Sequence, residues 1–254
     1  MIDSHAHYDD EAFDIDRDTL LKSMSDNGIE TIVNVGANIK GSKESVALSE
    51  AYPFIYAAIG VHPSDVDELN EEKMTWLKDM SKHDKVVAIG EIGLDYHYED
   101  TDKELQKKWF VSQMQLAKEV NKPIIIHSRD AARDTITLMK EAKAEEIPGV
   151  VHCYSYTKES AKEYLQMGYY FGIGGVLTFK NAKKLKEAVA YIPLDRILLE
   201  TDSPYLAPEP FRGKRNSSLY LPYVVSEMAS IKGISEEEII RITTENTKQL
   251  FGIS

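Results

Sequence analysis

The chain has 254 residues, a formal net charge of -12, an apolar fraction of 43% and one cysteine, Cys153. The acidic balance argues against general binding of nucleic acid through a basic face, and no apolar run approaches the ~18 residues that suggest a membrane span. A single cysteine excludes an internal disulfide; with His5 too near the start for a secretory leader to precede it, the expected location is cytoplasmic.

Short β-rich apolar runs recur at Ile2–His5, Thr31–Val35, Ile55–Ile59, Val86–Gly90, Pro123–His127, Val150–His152, Tyr169–Ile173 and Ile197–Glu200. Polar segments with apolar residues at helical spacing separate them. Thr101-Asp102-Lys103-Glu104 reads as a capping box before an amphipathic stretch reaching about Val120, and Ser235-Glu236-Glu237-Glu238 as another before the last helix. Gly28, Gly168 and Gly233 stand where helices are expected to end. Eight alternations of strand and helix predict an α/β chain folded as a (β/α)8 TIM barrel, one domain over 1–254, with an extra C-terminal helix. A doubly wound open sheet is the alternative.

In such a barrel the site lies where the strands end. Strand one ends in His5-Ala6-His7, whose two imidazoles point the same way because strand side chains alternate. Strand four ends in Gly90-Glu91, strand five in His127-Ser128-Arg129, strand six in His152-Cys153 and strand eight in Glu200-Thr201-Asp202. One buried histidine is more often a hydrogen-bonded core residue than a ligand, but five strand ends meeting at one rim point to a metal site. His5, His7, Glu91, His127, His152 and Asp202 make six donors. A single catalytic zinc takes about three protein ligands, so six suit two divalent ions, with Glu91 as the bridge. Histidine and carboxylate donors leave the metal open among zinc, manganese, iron, cobalt and nickel, with magnesium favouring all-oxygen sites.

The same segments carry a resemblance. Asp3-Ser4-His5-Ala6-His7, Gly60-Val61-His62-Pro63, Gly90-Glu91-Ile92-Gly93-Leu94-Asp95-Tyr96, His127-Ser128-Arg129, His152-Cys153-Tyr154-Ser155, Glu200-Thr201-Asp202-Ser203-Pro204 and Phe211-Arg212-Gly213-Lys214-Arg215-Asn216 keep the order of the TatD family of metal-dependent hydrolases. The chain resembles that family over nearly its whole length. The resemblance implies one ion on His5, His7, Glu91 and Asp202, and a second on Glu91, His127 and His152. It implies a deoxyribonuclease, a 3′→5′ exonuclease on single-stranded DNA; related proteins deacylate D-aminoacyl-tRNA. The family often continues the last segment with Glu-Pro, whereas Ser217-Ser218 follow Asn216 here.

The chemistry expected on this basis is attack by a hydroxide, activated between two ions, on the last phosphodiester, with Asp202 and Glu91 catalytic and Asp202 the general base. Arg129, Arg212, Lys214 and Arg215 are candidates for gripping phosphate, and His62 for a supporting position beside the substrate. Tyr96 and Tyr205 are candidates for stacking on bases, while His83 and His97 read as surface residues. The expected partner is DNA or another nucleic acid, with no membrane and no protein partner in evidence. A small-molecule amide or ester hydrolase on the same barrel is the rival; relatives that bridge two ions with a strand-four lysine are disfavoured, because Lys85 precedes the strand.

Overall fold

A computed structural model describes residues 1–98 and 102–253 of the protein. Eight strands form one parallel sheet in chain order: β1 (Ile2–Ala6), β2 (Thr31–Val35), β3 (Ile55–Ile59), β4 (Val86–Asp95), β5 (Ile124–Arg129), β6 (Gly149–Val151), β7 (Tyr170–Ile173) and β8 (Ile197–Leu199). The last edge returns to the first. Ala6 bridges Ser203, His7 N donates to Ser203 O at 2.7 Å, and Asp202 N donates to His5 O at 2.9 Å. Helices α1 (Arg17–Lys22), α2 (Ile39–Ala51), α3 (Glu71–Met80), α4 (Lys103–Glu119), α5 (Ala132–Glu141), α6 (Lys158–Gln166), α7 (Lys183–Tyr191) and α8 (Leu221–Lys232) alternate with the strands. This is the expected (β/α)8 barrel, and α9 (Glu236–Phe251) is the extra helix.

Every residue of β1, β2 and β4 is buried. A strand with helices on one face and barrel filling on the other reads as a continuous apolar run. Two clusters divide those faces. Ile32, Ile124, Ile126 and Phe171 pack with helix residues such as Phe110 and Met228. Val33, Ile125, Val150 and Leu198 fill the interior, joined by Leu250, Phe251 and Ile253. Asn246 of α9 donates to the carbonyls of Leu194 and Ile197, both at 2.8 Å, so this helix covers the end of the barrel where the strands begin.

The inner face decides which strand ends point into the site. On β5, β6 and β8, strict alternation carries the inner positions Ile125, Val150 and Leu198 to His127, His152 and Glu200. On β1 and β4 the parity changes: Ile2 and Ala88 are interior, yet His5 and Glu91 also face inward. Register irregularities between Asp3 and Ala6 and between Ile89 and Ile92 supply the extra residue. Strand β4 therefore does not stop at Gly90, as its apolar run suggested, but continues to Asp95.

Helix ends follow short-range chemistry. Ser235 Oγ accepts from Glu238 N at 3.2 Å, as the capping box predicted. The cap of α4 is Asp102, which accepts from Leu105 N at 3.0 Å; Thr101, the expected cap, lies outside the described residues. Gly28 closes a 3-10 turn, Gly168 follows α6, and Gly233 ends α8 with φ of 68°. Loss of the α9 cap in Ser235→Ala is expected to cost about 1 kcal/mol, read as a lower urea midpoint with unchanged slope. Among the described residues, no helix is long and apolar enough to cross a membrane.

Candidate metal centre

The strand ends bring His5, His7, Glu91, His127, His152 and Asp202 into one cluster with Glu91 at its middle. His5 Nε2 and His7 Nε2 face each other at 3.1 Å. Glu91 Oε2 lies 3.5 Å from His5 Nε2 and 3.8 Å from His7 Nε2. Asp202 Oδ1 closes the group at 3.8 and 3.4 Å from the same nitrogens. The other oxygen, Glu91 Oε1, lies 2.7 Å from His127 Nδ1 and 2.6 Å from His152 Nε2, which are 3.2 Å apart. Glu91 thus turns one oxygen to each of two donor groups.

These spacings fit metal ions. Donors about 2.1 Å from a tetrahedral metal stand about 3.4 Å apart; His5, His7 and Asp202 form a close group at 3.1–3.8 Å, with Glu91 Oε2 at 3.5 and 3.8 Å from its two histidines. Ring nitrogens facing one another at 3.1 Å need a proton or a cation between them. Val35 O accepts from His7 Nδ1 at 2.7 Å, which leaves Nε2 with its lone pair towards the cluster. Asp95 Oδ2, 3.1 Å from His127 Nε2, orients that ring in the same way.

Electrostatics point the same way. Burial and neighbouring His152 push His5 down to about 4. Burial also opposes charge on His7, but Asp202 and Glu91 outweigh it and hold His7 at about 10. At His127 burial is outweighed by Asp95 and Glu91, giving about 9. Burial alone would raise the carboxyls of Glu91 and Asp202; the histidines around them hold both below their ordinary range. Each end of the cluster draws in positive charge.

A cavity of about 790 Å³ opens over the cluster, lined among others by Asp10, His62, Tyr98, Arg129, Tyr205 and Leu206. His62 groups with Asp95 and His127 rather than with the two sets around Glu91, although its Nε2 is 3.8 Å from Glu91 Oε1. Its Nδ1 accepts from Ser64 N at 3.1 Å, which leaves the proton on Nε2. Burial pushes His62 down to about 3, so the ring is neutral.

The basic residues divide. Arg129 lines the cavity. Arg212, Lys214 and Arg215 are not in its wall and lie over the rings of Phe179, Phe211 and Phe13. Arg215 is moreover paired through both its terminal nitrogens with Asp16, at 2.7 and 2.6 Å, so its guanidinium is engaged within the protein. Tyr205 stands half-exposed at the mouth with its hydroxyl donating to Asp10 at 2.8 Å, whereas Tyr96 donates to Asp134 and packs under Lys103. The His83 and His97 rings pair with Glu50 and Asp130, and His97 N–H donates to Asp95 Oδ1 at 2.9 Å.

Sequence reasoning passed over three acids. Asp95 was quoted without a role; its signal is the two-residue step from Glu91 and Gly93 along β4. Glu200 is fully buried; without metal, burial raises its carboxyl to about 8, while His152 and the Cys153 N–H favour the ionised form. Asp3 is buried behind His5 and accepts from Thr201 N, Thr201 Oγ1 and Ser218 Oγ at 3.0, 2.6 and 2.6 Å. Ser218 therefore ties the loop after β8 onto β1.

The profile of the TatD related DNase family matches residues 2–252. The chain belongs to this family. An uncharacterized metal-dependent hydrolase of Bacillus subtilis, YabD, is 48% identical over 254 residues, covering 100% of both chains. The 3′-5′ ssDNA/RNA exonuclease TatD of Escherichia fergusonii is 33% identical over 260 residues and also covers 100% of both. The crystal structure of YjjV, a TatD homologue of Escherichia coli, superposes with a TM-score of 0.94 at 30% identity, covering 100% of this chain and 98% of that one. This TatD family member is a metal-dependent hydrolase, and its histidine, aspartate and glutamate clusters are able to hold metal.

Proposed function

We propose that the protein is a two-metal nuclease that removes nucleotides from the 3′ end of single-stranded DNA. The observation that carries this reading is the division of Glu91, one oxygen towards the His5, His7 and Asp202 group and the other towards His127 and His152. The ions would be held by those two groups, Glu91 being common to both. When bound, such a pair supplies Lewis acidity that lowers the pKa of a water and offsets charge on phosphate.

The remaining steps belong to the protein. The Asp202 carboxylate, held ionised by the histidines, accepts the proton of the attacking water. His62 donates its Nε2 hydrogen to a phosphate oxygen from the cavity wall. Arg129 pairs with the next phosphate, and Tyr205, braced by Asp10, offers a face for a terminal base. A cavity of about 790 Å³ suits the end of a strand more than a duplex. The exonuclease from Escherichia fergusonii, 33% identical along its full length, supports the substrate class. A cytoplasmic site of action goes with a single, unpaired cysteine.

End-labelled single-stranded DNA and aminoacyl-tRNA are incubated with the protein, each with and without chelator. A chelator-sensitive ladder from the 3′ end is the expected result. Released amino acid with intact DNA would instead identify a deacylase, and no cleavage of either would favour a small-molecule amide or ester hydrolase.

A further inference from the structure

Among the described residues, three buried atoms beneath the cluster have no hydrogen-bond partner: His5 Nδ1, His152 Nδ1 and Glu200 Oε2. One ring nitrogen of each histidine and one Glu200 oxygen lie within 4.8 Å of one another. His152 Nδ1 stands 3.9 Å from Glu200 Oε1. The two imidazoles are stacked, with centroids 4.0 Å apart and planes 11° apart. Their Nε2 atoms address opposite ends of Glu91, His5 facing Oε2 at 3.5 Å and His152 facing Oε1 at 2.6 Å. Imidazole nitrogens diverge across Cε1, so both Nδ1 atoms turn away from Glu91, to the side where Glu200 lies.

Strand β7 places no donor at the rim; it makes room for Glu200. A Cβ on Gly172 would stand 1.9 Å from Glu200 Oε2, and one on Gly174 would stand 3.2 Å from the Glu200 carbonyl oxygen. The two glycines lie two residues apart, on one face, and form a cradle for this side chain. Cys153 N–H donates to Glu200 Oε1 and fixes the carboxylate from above.

A ligand imidazole is oriented by the hydrogen bond of its second nitrogen. His7 has Val35 O for this purpose and His127 has Asp95. We propose that Glu200 is the shared positioning residue of the centre, its carboxylate taking the Nδ1 hydrogens of both His5 and His152, directly or through one water. A ligand of each ion site then leans on the same acid. The inference rests on the two-ion reading above, and it predicts that the two sites lose affinity together.

Manganese is titrated into chelator-stripped full-length protein and into its Glu200→Gln and Glu200→Asp variants. Wild type is expected to take two ions. Glu200→Gln keeps the shape but has only one acceptor oxygen, so both sites weaken by about 10- to 100-fold. Glu200→Asp is shorter but keeps both acceptor oxygens, and is expected to bind more tightly than Glu200→Gln at both sites. The reverse order, or weakening at one site or at neither, overturns the proposal and leaves the two-ion reading standing. A wild type that takes fewer than two ions overturns that reading, and the proposal with it. Should the variants not fold, nitrogen-15 histidine spectra of the zinc-loaded wild type decide: Nδ1 hydrogens on both His5 and His152 are expected, and a bare Nδ1 on either is fatal to the idea.

Discussion

Glu91→Gln lowers kcat on single-stranded DNA by an expected ~10³-fold, about 4 kcal/mol of transition-state stabilisation. The reason is local. Glu91 Oε1 meets His127 and His152 at 2.7 and 2.6 Å, and Oε2 faces His5 and His7 at 3.5 and 3.8 Å. Glutamine retains the shape but must turn an amide N–H₂ towards one of these pairs, and it brings no charge to either. Both ions should therefore be depleted on metal analysis, not one. The thermal midpoint of chelator-treated protein should fall as well, because the carboxylate that offsets the charge of buried His7 and His127 is lost although the shape is kept. Depletion of a single ion would show that Glu91 serves one site alone.

Asp202→Asn removes the proposed proton acceptor and one donor of the first group, and a comparable ~10³-fold loss of kcat is expected. Asparagine is the cleaner replacement here. Asp202 has φ of 58°, a left-handed conformation that asparagine tolerates and alanine does not. Asp202→Ala should lose the same activity and in addition about 1 kcal/mol of stability, roughly 3 °C in Tm for a chain of this length. If either variant turned over DNA at near wild-type rates in the presence of metal, the assigned role of Asp202 would fail.

Much of this arrangement was legible in the chain. Parallel strands buried on both faces need uninterrupted apolar runs, and those runs located all eight strands in order to within a few residues. The one large error, the end of β4, has a cause: Gly90 and Glu91 break the apolar run, while the backbone continues in the sheet to Asp95. Strand ends carrying histidine and acid were visible for a related reason, since the barrel places every such end at one rim. The basic segment Arg212, Lys214 and Arg215 was harder to read, because a charge in a loop does not reveal its partner. Arg215 pairs with Asp16, 199 residues away in the chain.

By itself the sequence determined what depends on neighbours in the chain: the strand and helix order, the cap at Ser235, and the six donors at the strand ends. Only the tertiary structure decided what depends on position around the barrel. Irregularities in β1 and β4 shift parity by one, and this turns His5 and Glu91 inward beside side chains that reach the rim by plain alternation. Closure of the barrel then brings Asp202 to His7 and lets the two oxygens of Glu91 serve different histidines. It also hides Glu200 in a cradle formed by Gly172 of β7 and Gly174 just beyond it, beneath stacked His5 and His152. Linear spacing carries no record of such choices, because they are set by contacts between residues distant in the chain.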